Sequence, residues 1–532
     1  MPESSNTTQN THHDKTAEKS LDGFTRDFLD TLFTGNPTCE DPDLKLQIHA
    51  LRQAAEEKSL TFPITALFSK LNAIREKKAI SPGAFGLSRQ DLAALAIKHE
   101  TIDEHKVSVG GRVCRALPIV AEAIHRVDDY LSVKTEQAPS GFELWDTICQ
   151  NQEKIRSYLK MTHDDWNSYS GQISHCIDTV EDLSRIIDLP QRVIKEVTHV
   201  TQDYRMRLTP YYASLIQTTV ANDPILLQSV PTGEMVDNKG IEIPPVAADH
   251  SPARLIDQFY PRVVTIKATN MCAMYCTHCL RLAHIGKKDR IYTEQAYEEA
   301  LDYIRNNHRI RDILITGGDA FVLPNKILEK ILAALDQIDH VKMKRLGTRI
   351  PVTAPQRVDN ELLDILAQSN DRKPIRVVTQ INTAQEMTPV SGDAFKRISK
   401  NVFAVLNQAV LLKGINDTRV KMWKLCETIQ ENYVRPYYLF NCSYRNPQFT
   451  HFRVPIEKGR DIIESMYGNI SGDAIPRYIA TAGGKIPLHR SNVEGLVNGD
   501  ILLKKPWNGE EVRYPDADPG IYANGAFAFM KP

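Results

Sequence analysis

Three cysteines stand within eight residues, Cys272-Ala-Met-Tyr-Cys276-Thr-His-Cys279, while the other six of the chain are scattered singly. Thiolates at this spacing in one loop can wrap a compact iron–sulfur cluster. Three ligands on a four-iron cube leave one iron open for substrate or cofactor, whereas a structural zinc site closes with four. A zinc reading would recruit His278, His284 or a distant cysteine, and the short motif alone leaves that alternative standing. An odd cysteine total in a chain of 532 residues is unlike a secreted disulfide framework.

Two further segments carry groups suited to chemistry. Gly317-Gly318-Asp319 offers a turn with backbone N–H groups and a carboxylate, and Thr481-Ala-Gly-Gly-Lys485-Ile-Pro places a lysine behind two glycines. Taken bare, the first is a turn and the second a solvated lysine. A desolvated lysine, however, loses its proton readily and can attack an aldehyde, and glycines let the backbone approach a planar ring.

The elements that must position these groups change along the chain. Residues 1–20 are polar and should be disordered. From 21 to about 160 apolar spacing is mostly helical, as at Leu117, Val120, Ala121, Ile124 and Val127, and helical spacing continues to about 205. A stretch from 222 to 258 with Pro224, Pro231, Pro244, Pro245 and Pro252 predicts an extended connection. Beyond it, six β-branched runs alternate with helical patterns: 263–268, 312–316, 341–346, 375–381, 402–411 and 434–440. Helices are expected over Thr293–Asn307, Asn325–Ile338, Ser391–Lys400 and Asn416–Glu431. Strand and helix in alternation imply an α/β fold of parallel βαβ units, here a partial (β/α)6 barrel with function at the strand C-termini. The cysteines follow the first strand and Gly317 follows the second.

Lysine plus arginine (65) balances aspartate plus glutamate (66), so a small-molecule partner fits better than nucleic acid or an anionic membrane. The start lacks a secretory pattern and no apolar run nears the ~20 residues of a bilayer span, which predicts a cytoplasmic protein.

The cysteine trio resembles the radical S-adenosylmethionine signature, and its surroundings resemble the lysine 2,3-aminomutase family. The resemblance runs from Asp165-Trp166-Asn167 and Thr179-Val-Glu-Asp-Leu183 through Arg205-Met206, Thr209-Pro-Tyr-Tyr212, Asn222-Asp-Pro224 and Tyr260-Pro261 to the cysteines. It continues through Gly317-Gly-Asp-Ala320, Thr348-Arg349, Pro355-Gln-Arg357, Asn407-Gln408, Gly414-Ile-Asn-Asp417 and Arg435-Pro-Tyr-Tyr438, covering about 162–515. It implies a helical family region over 161–258, the barrel over 259–450 and a C-terminal cofactor segment over 451–532, with 21–160 an extension of unassigned role.

The resemblance also implies a chemistry. A [4Fe-4S] cluster on Cys272, Cys276 and Cys279 would reduce S-adenosyl-L-methionine, and pyridoxal 5'-phosphate joined to Lys485 would carry an amino group from the α- to the β-carbon. His278, Gly317, Gly318, Asp319, Gln408 and Tyr260 fall at cofactor positions, and Arg281 at the position that grips the substrate carboxylate. The glycine-rich loop before Lys485 is about two residues shorter than the family's, and Arg262 stands one place ahead of the family's arginine. Lysine-specific members hold the distal ammonium with two aspartates; the matching positions are Ser443 and Thr481, with Arg445 close by. That exchange predicts an acidic amino acid substrate. An electron donor such as flavodoxin or ferredoxin is expected. The last cysteine is Cys442, so a zinc-bridged assembly of the family's kind is not, while another homo-oligomer stays open. The rivals are a radical enzyme acting on a peptide-bound residue and a non-catalytic iron–sulfur sensor.

Overall fold

The computed structural model describes residues 120–217, 223–238, 250–290, 292–498 and 500–517. The expected tail at 1–20 and the helical pattern up to residue 119 lie outside the described residues. The chain divides into two compact units, 1–133 and 134–532, and the described part of the first is helical.

The second unit is organised by one curled, open sheet of nine strands whose spatial order is the order of the chain. Strand β1 (Ile256–Tyr260) runs antiparallel to β2 (Val263–Thr269). Strands β3 (Asp312–Gly317), β4 (Met343–Gly347), β5 (Ile375–Thr379), β6 (Ala404–Leu411), β7 (Arg435–Asn441) and β8 (Arg477–Thr481) follow in parallel. Strand β9 (Lys485–Pro487) then turns back antiparallel on β8. The six expected strands are β2 to β7. The seventh parallel strand, β8, and β9 come from the segment assigned beyond the barrel, so Lys485 is part of the sheet itself.

The strands form here because they bury one face in full. Val264, Ile266, Ile313, Ile315, Leu346, Val377, Val405 and Leu439 are almost wholly buried in one core with Leu301, Ile304, Leu328, Leu335, Leu362, Phe395 and Ile429 from the helices. The other face carries partly exposed Arg345, Arg376, Gln408, Tyr438 and Phe440. Parallel strands joined by helices leave this second face free to line a cavity.

The connecting helices start where local capping dictates. Thr293 accepts from the Ala296 N–H and opens Glu294–Asn306 as expected, and Asn325–Asp336 also stands where predicted. Two starts differ. Thr388 caps Pro389–Ser399, because Pro389 needs no N–H partner in the first turn. Thr418 caps Arg419–Glu431, because the Asn416 amide is spent on the carbonyls of Asn382 (3.0 Å) and Val410 (2.9 Å).

The proline-rich stretch also differs from expectation. Pro224 begins a helix, Pro224–Ser229, whose first N–H groups are accepted by the Asp223 carboxylate, and Glu234–Asp237 forms a further turn. Residues 239–249 of that stretch lie outside the described residues. Helices from Trp145–Tyr158 to Pro210–Ser214 share their own core of Ile148, Ile155, Trp166, Leu183, Val197, Tyr211 and Tyr212. That core includes Ile148 and Ile155, so the helix Trp145–Tyr158 packs within the second unit.

Candidate active site

The cysteine loop leaves the end of β2 and is clamped from both sides. The Tyr275 N–H donates to the Arg207 carbonyl (3.3 Å), the Thr277 N–H to the Gln228 carbonyl (3.1 Å), and the Thr277 hydroxyl to the Leu227 carbonyl (2.8 Å). Met274 is buried in the helical core, and the Arg205 guanidinium lies 4.2 Å from the Tyr275 ring centre. Asn270 ties the far side down through the carbonyls of Ile285 and Lys288 and the Arg290 N–H.

Gly317 and Gly318 form the floor. The Gly318 N–H donates to the Thr269 carbonyl (2.5 Å) and the Asp319 N–H to the Met271 carbonyl (2.9 Å). A Cβ on Gly317 would stand 2.3 Å from the Thr269 carbonyl oxygen, and one on Gly318 2.1 Å from that of Met271. The Asp319 carboxylate accepts from the Phe321 N–H (2.9 Å) and the Arg349 N–H (2.5 Å). These glycines therefore serve close approach of backbone to backbone, and Asp319 links the ends of β3 and β4.

The three thiols are unbridged and partly buried. Burial, then the charges of Asp319 and the other two cysteines, holds Cys272 well above the usual thiol range, and burial pushes Cys279 up to about 11. Burial first, and neighbouring negative charge second, disfavours the ionised forms of Cys272 and Cys279, a cost that a bound cationic group would offset. The two histidines near the loop each have one ring nitrogen in contact with protein. His278 Nε2 lies 3.3 Å from Gln380 Oε1 and 3.2 Å from Asn382 Nδ2, and His284 Nε2 lies 3.1 Å from the Thr269 carbonyl. Burial, with the Arg349 charge, drives His278 down to about 3, so it is neutral, and its Nδ1 is buried without a partner. A neutral ring with a free edge beside the cysteines fits a planar, hydrogen-bonding ligand such as a nucleoside.

Arg349 carries no role from sequence spacing, though it sits two residues past the end of β4, where barrel enzymes place functional groups. Its guanidinium donates to Cys276 Sγ (2.8 Å), to Glu386 Oε1 (2.5 Å), to Gln228 Oε1 (3.1 Å) and to the Gln380 carbonyl (3.1 Å).

The lysine stands at the other end of the sheet. Lys485 opens β9 opposite Thr481, and its Nζ lies 4.8 Å from the Tyr438 ring centre and 5.7 Å from that of Phe440. Burial first, then the nearby charges of Arg345 and Arg281, lowers its ammonium to about 8. Arg281 is also felt by Cys272, so it lies near both the cysteine loop and the lysine; its Nη1 makes a long contact (3.4 Å) with Thr316 Oγ1. Gln408 pairs with Tyr438 across β6 and β7.

Tyr260 closes this arrangement. Its hydroxyl, on the first strand of the open sheet, accepts from the Lys485 N–H (2.7 Å) on the last. Gly484, at φ +139°, lets the loop pass beside Trp507 and Tyr260, since a Cβ there would stand 2.5 Å from the indole. Tyr260→Phe removes one backbone hydrogen bond, worth about 1 kcal/mol. Protease digestion of the variant should cut more rapidly at residues 482–486, and unchanged cutting would show that Tyr260 does not hold the lysine.

The structure thus brings together Cys272, Cys276, Cys279, His278, Gly317, Gly318, Asp319 and Arg281, and separately Lys485, Tyr260, Thr481 and, through Tyr438, Gln408. Arg445 lies beside Ser443. Its backbone N–H donates to Ser443 Oγ (3.2 Å) and its guanidinium rests 6.0 Å from the Tyr444 ring centre.

Comparison with known proteins agrees with this geometry. Residues 266–422, from β2 through the helix after β6, match the Radical SAM superfamily. Glutamate 2,3-aminomutase of Clostridioides difficile is 36% identical over 410 residues, 76% of this chain and 96% of that protein. L-lysine 2,3-aminomutase of Methanococcus maripaludis is 35% identical over 365 residues, 66% of this chain and 83% of that protein. L-lysine 2,3-aminomutase of Clostridium subterminale is 34% identical over 366 residues, 68% and 86% of the two chains. With its cysteine loop on a curled parallel sheet and this likeness along three quarters of its length, the chain belongs to the radical S-adenosylmethionine family of amino acid 2,3-aminomutases and is an isomerase.

Proposed function

We propose that the protein moves the α-amino group of a free acidic amino acid, glutamate or aspartate, to the neighbouring carbon. The observation that carries the substrate class is a charge imbalance. Among the described residues, Arg281, Arg345, Arg376 and Lys485 form no ion pair within 4.0 Å, and the family resemblance sets Ser443 and Thr481 at the positions of the two aspartates that would hold a distal ammonium. A substrate ammonium buried beside Arg281, Arg345 and Lys485 would meet an excess of cations, whereas a second substrate carboxylate would relieve them.

Cys272, Cys276 and Cys279 are the residues to hold a [4Fe-4S] cluster, with S-adenosylmethionine beside His278, and Lys485 is the residue to hold pyridoxal phosphate. Bound together, these groups supply a one-electron route to a carbon radical and a π-system for the migrating nitrogen. The chain's own part is placement. Lys485 is neutral above about pH 8, because burial and two guanidinium groups disfavour its charge, and a neutral amine can attack the cofactor aldehyde. Beyond its long contact with Thr316 Oγ1, Arg281 forms no ion pair and can offer its guanidinium to a carboxylate. Tyr438 and Phe440 wall the lysine with apolar surface, which keeps water from competing at Nζ. The same reading calls for a low-potential donor of flavodoxin or ferredoxin type and a cytoplasmic setting; no helix of the described residues is long and apolar enough to cross a membrane.

The test is turnover by anaerobically reconstituted enzyme of glutamate, aspartate, lysine, arginine and alanine, with β-amino acid products separated by chromatography. An acidic substrate should exceed lysine in kcat/KM by about 10²-fold, the scale of one uncompensated buried charge. Turnover of lysine alone would overturn the substrate class.

A further inference from the structure

The Arg349 side chain has five polar partners: Cys276, Glu386, Gln228, the Gln380 carbonyl and the Tyr212 hydroxyl. Its Nη1 donates to the sulfur of Cys276 at 2.8 Å, and its Nη2 meets Glu386 Oε1 at 2.5 Å, a carboxylate whose side chain is fully buried. The same Nη2 donates to Gln228 Oε1 (3.1 Å), which also accepts from Asn382 Nδ2 (3.1 Å). Asn382 Nδ2 lies 3.2 Å from His278 Nε2, and Arg349 Nε donates to the carbonyl of Gln380, whose side chain is the other neighbour of His278. Glu386 is held in turn by the Asn382 N–H (2.7 Å) and the Tyr212 hydroxyl (3.0 Å). One guanidinium is thus fixed by a buried carboxylate and aimed at a single cysteine of the three.

We propose that Arg349 is a positioning residue that holds Cys276 and sets the reduction potential of the cluster through this N–H to sulfur contact, with Glu386 as its opposing charge. The inference rests on the reading of Cys272, Cys276 and Cys279 as cluster ligands. The step concerned is the uptake of one electron by the oxidised [4Fe-4S] cluster from a low-potential one-electron donor, with no bond made or broken in the protein. Added negative charge on cluster and ligand sulfur is stabilised by a nearby cation and a donated hydrogen bond, so both favour the reduced state. Glu386 works the other way, since its charge offsets the guanidinium. Hydrogen bonds and charges outside the ligand set commonly tune metal sites in this manner.

The experiment is an anaerobic redox titration of reconstituted full-length protein, with dithionite as reductant and the reduced cluster followed by electron paramagnetic resonance. Iron and sulfide are counted in parallel. Arg349→Gln should shift the midpoint potential downward, Arg349→Lys should shift it less, and Glu386→Gln should shift it upward. Opposite signs from two buried neighbours are not what loss of packing gives. Wild-type protein that takes up no iron would overturn the cluster reading itself. Wild-type and variant clusters of equal iron content and equal potential would overturn the role of Arg349 and leave that reading intact. Should Arg349→Gln take up no iron, the Lys and Glu386 variants decide: an unmoved potential in both overturns the proposal.

Discussion

Lys485→Met should abolish turnover and, at neutral pH, make the cofactor-free protein more stable. Wild-type chain treated with pyridoxal phosphate and borohydride gains the cofactor's mass at this one lysine, and the variant gains none; an adduct retained by the variant would mean that another lysine is used. The stability gain has a separate origin. Folding lowers the Lys485 pKa from 10.5 to about 8, so below pH 8 the wild type folds against the cost of burying an ammonium, about 3 kcal/mol. Between pH 8 and 10.5 the unfolded chain binds the extra proton, so wild-type stability rises with pH and the advantage of the variant shrinks. Urea unfolding at pH 7 and pH 10 reads this directly. A gain equal at both pH values would show that the ammonium is not disfavoured by the fold. Capture of the cofactor should accelerate as pH rises through about 8, and Arg345→Gln, by removing a neighbouring cation, should move that midpoint up.

The second large effect belongs to two glycines far from the lysine. Gly318→Ala places a methyl 2.1 Å from the Met271 carbonyl oxygen, where neither side is a flexible side chain, so the cysteine loop or the end of β3 must shift. Overpacking of this kind costs about 1–3 kcal/mol. Its functional consequence exceeds that figure, because the three sulfurs must meet one rigid cluster and a shift of an ångström at Met271 moves the adjacent Cys272. Iron retained after anaerobic reconstitution should fall to well under half, with far-ultraviolet circular dichroism preserved. Gly317→Ala should do the same and add strain, since Gly317 sits at φ +117°. Full iron content in both variants would show that the loop does not depend on this contact.

Much of this protein was determined by sequence alone. Cysteine spacing singled out Cys272, Cys276 and Cys279 as the candidate ligands, since three thiols in eight residues are a local fact that folding cannot scatter. β-branched runs gave β2 to β7, because a strand buried on one face and flanked by helices needs no distant information to be legible. Tertiary structure decided the rest. Lys485 acquires its depressed pKa only when Arg345 and Arg281, 140 and 204 positions away in the chain, are brought near it, and it acquires a fixed backbone only when β1 meets β9 through Tyr260. The strand β8 escaped local reading although Arg477–Thr481 is as long as β4 and β5; it joins the sheet by pairing with β7, a contact no local pattern encodes. Arg349 escaped for a like reason. A lone arginine in a sequence reads as surface, and only burial against Glu386 and Cys276, from other turns of the barrel, turns it toward the sulfur.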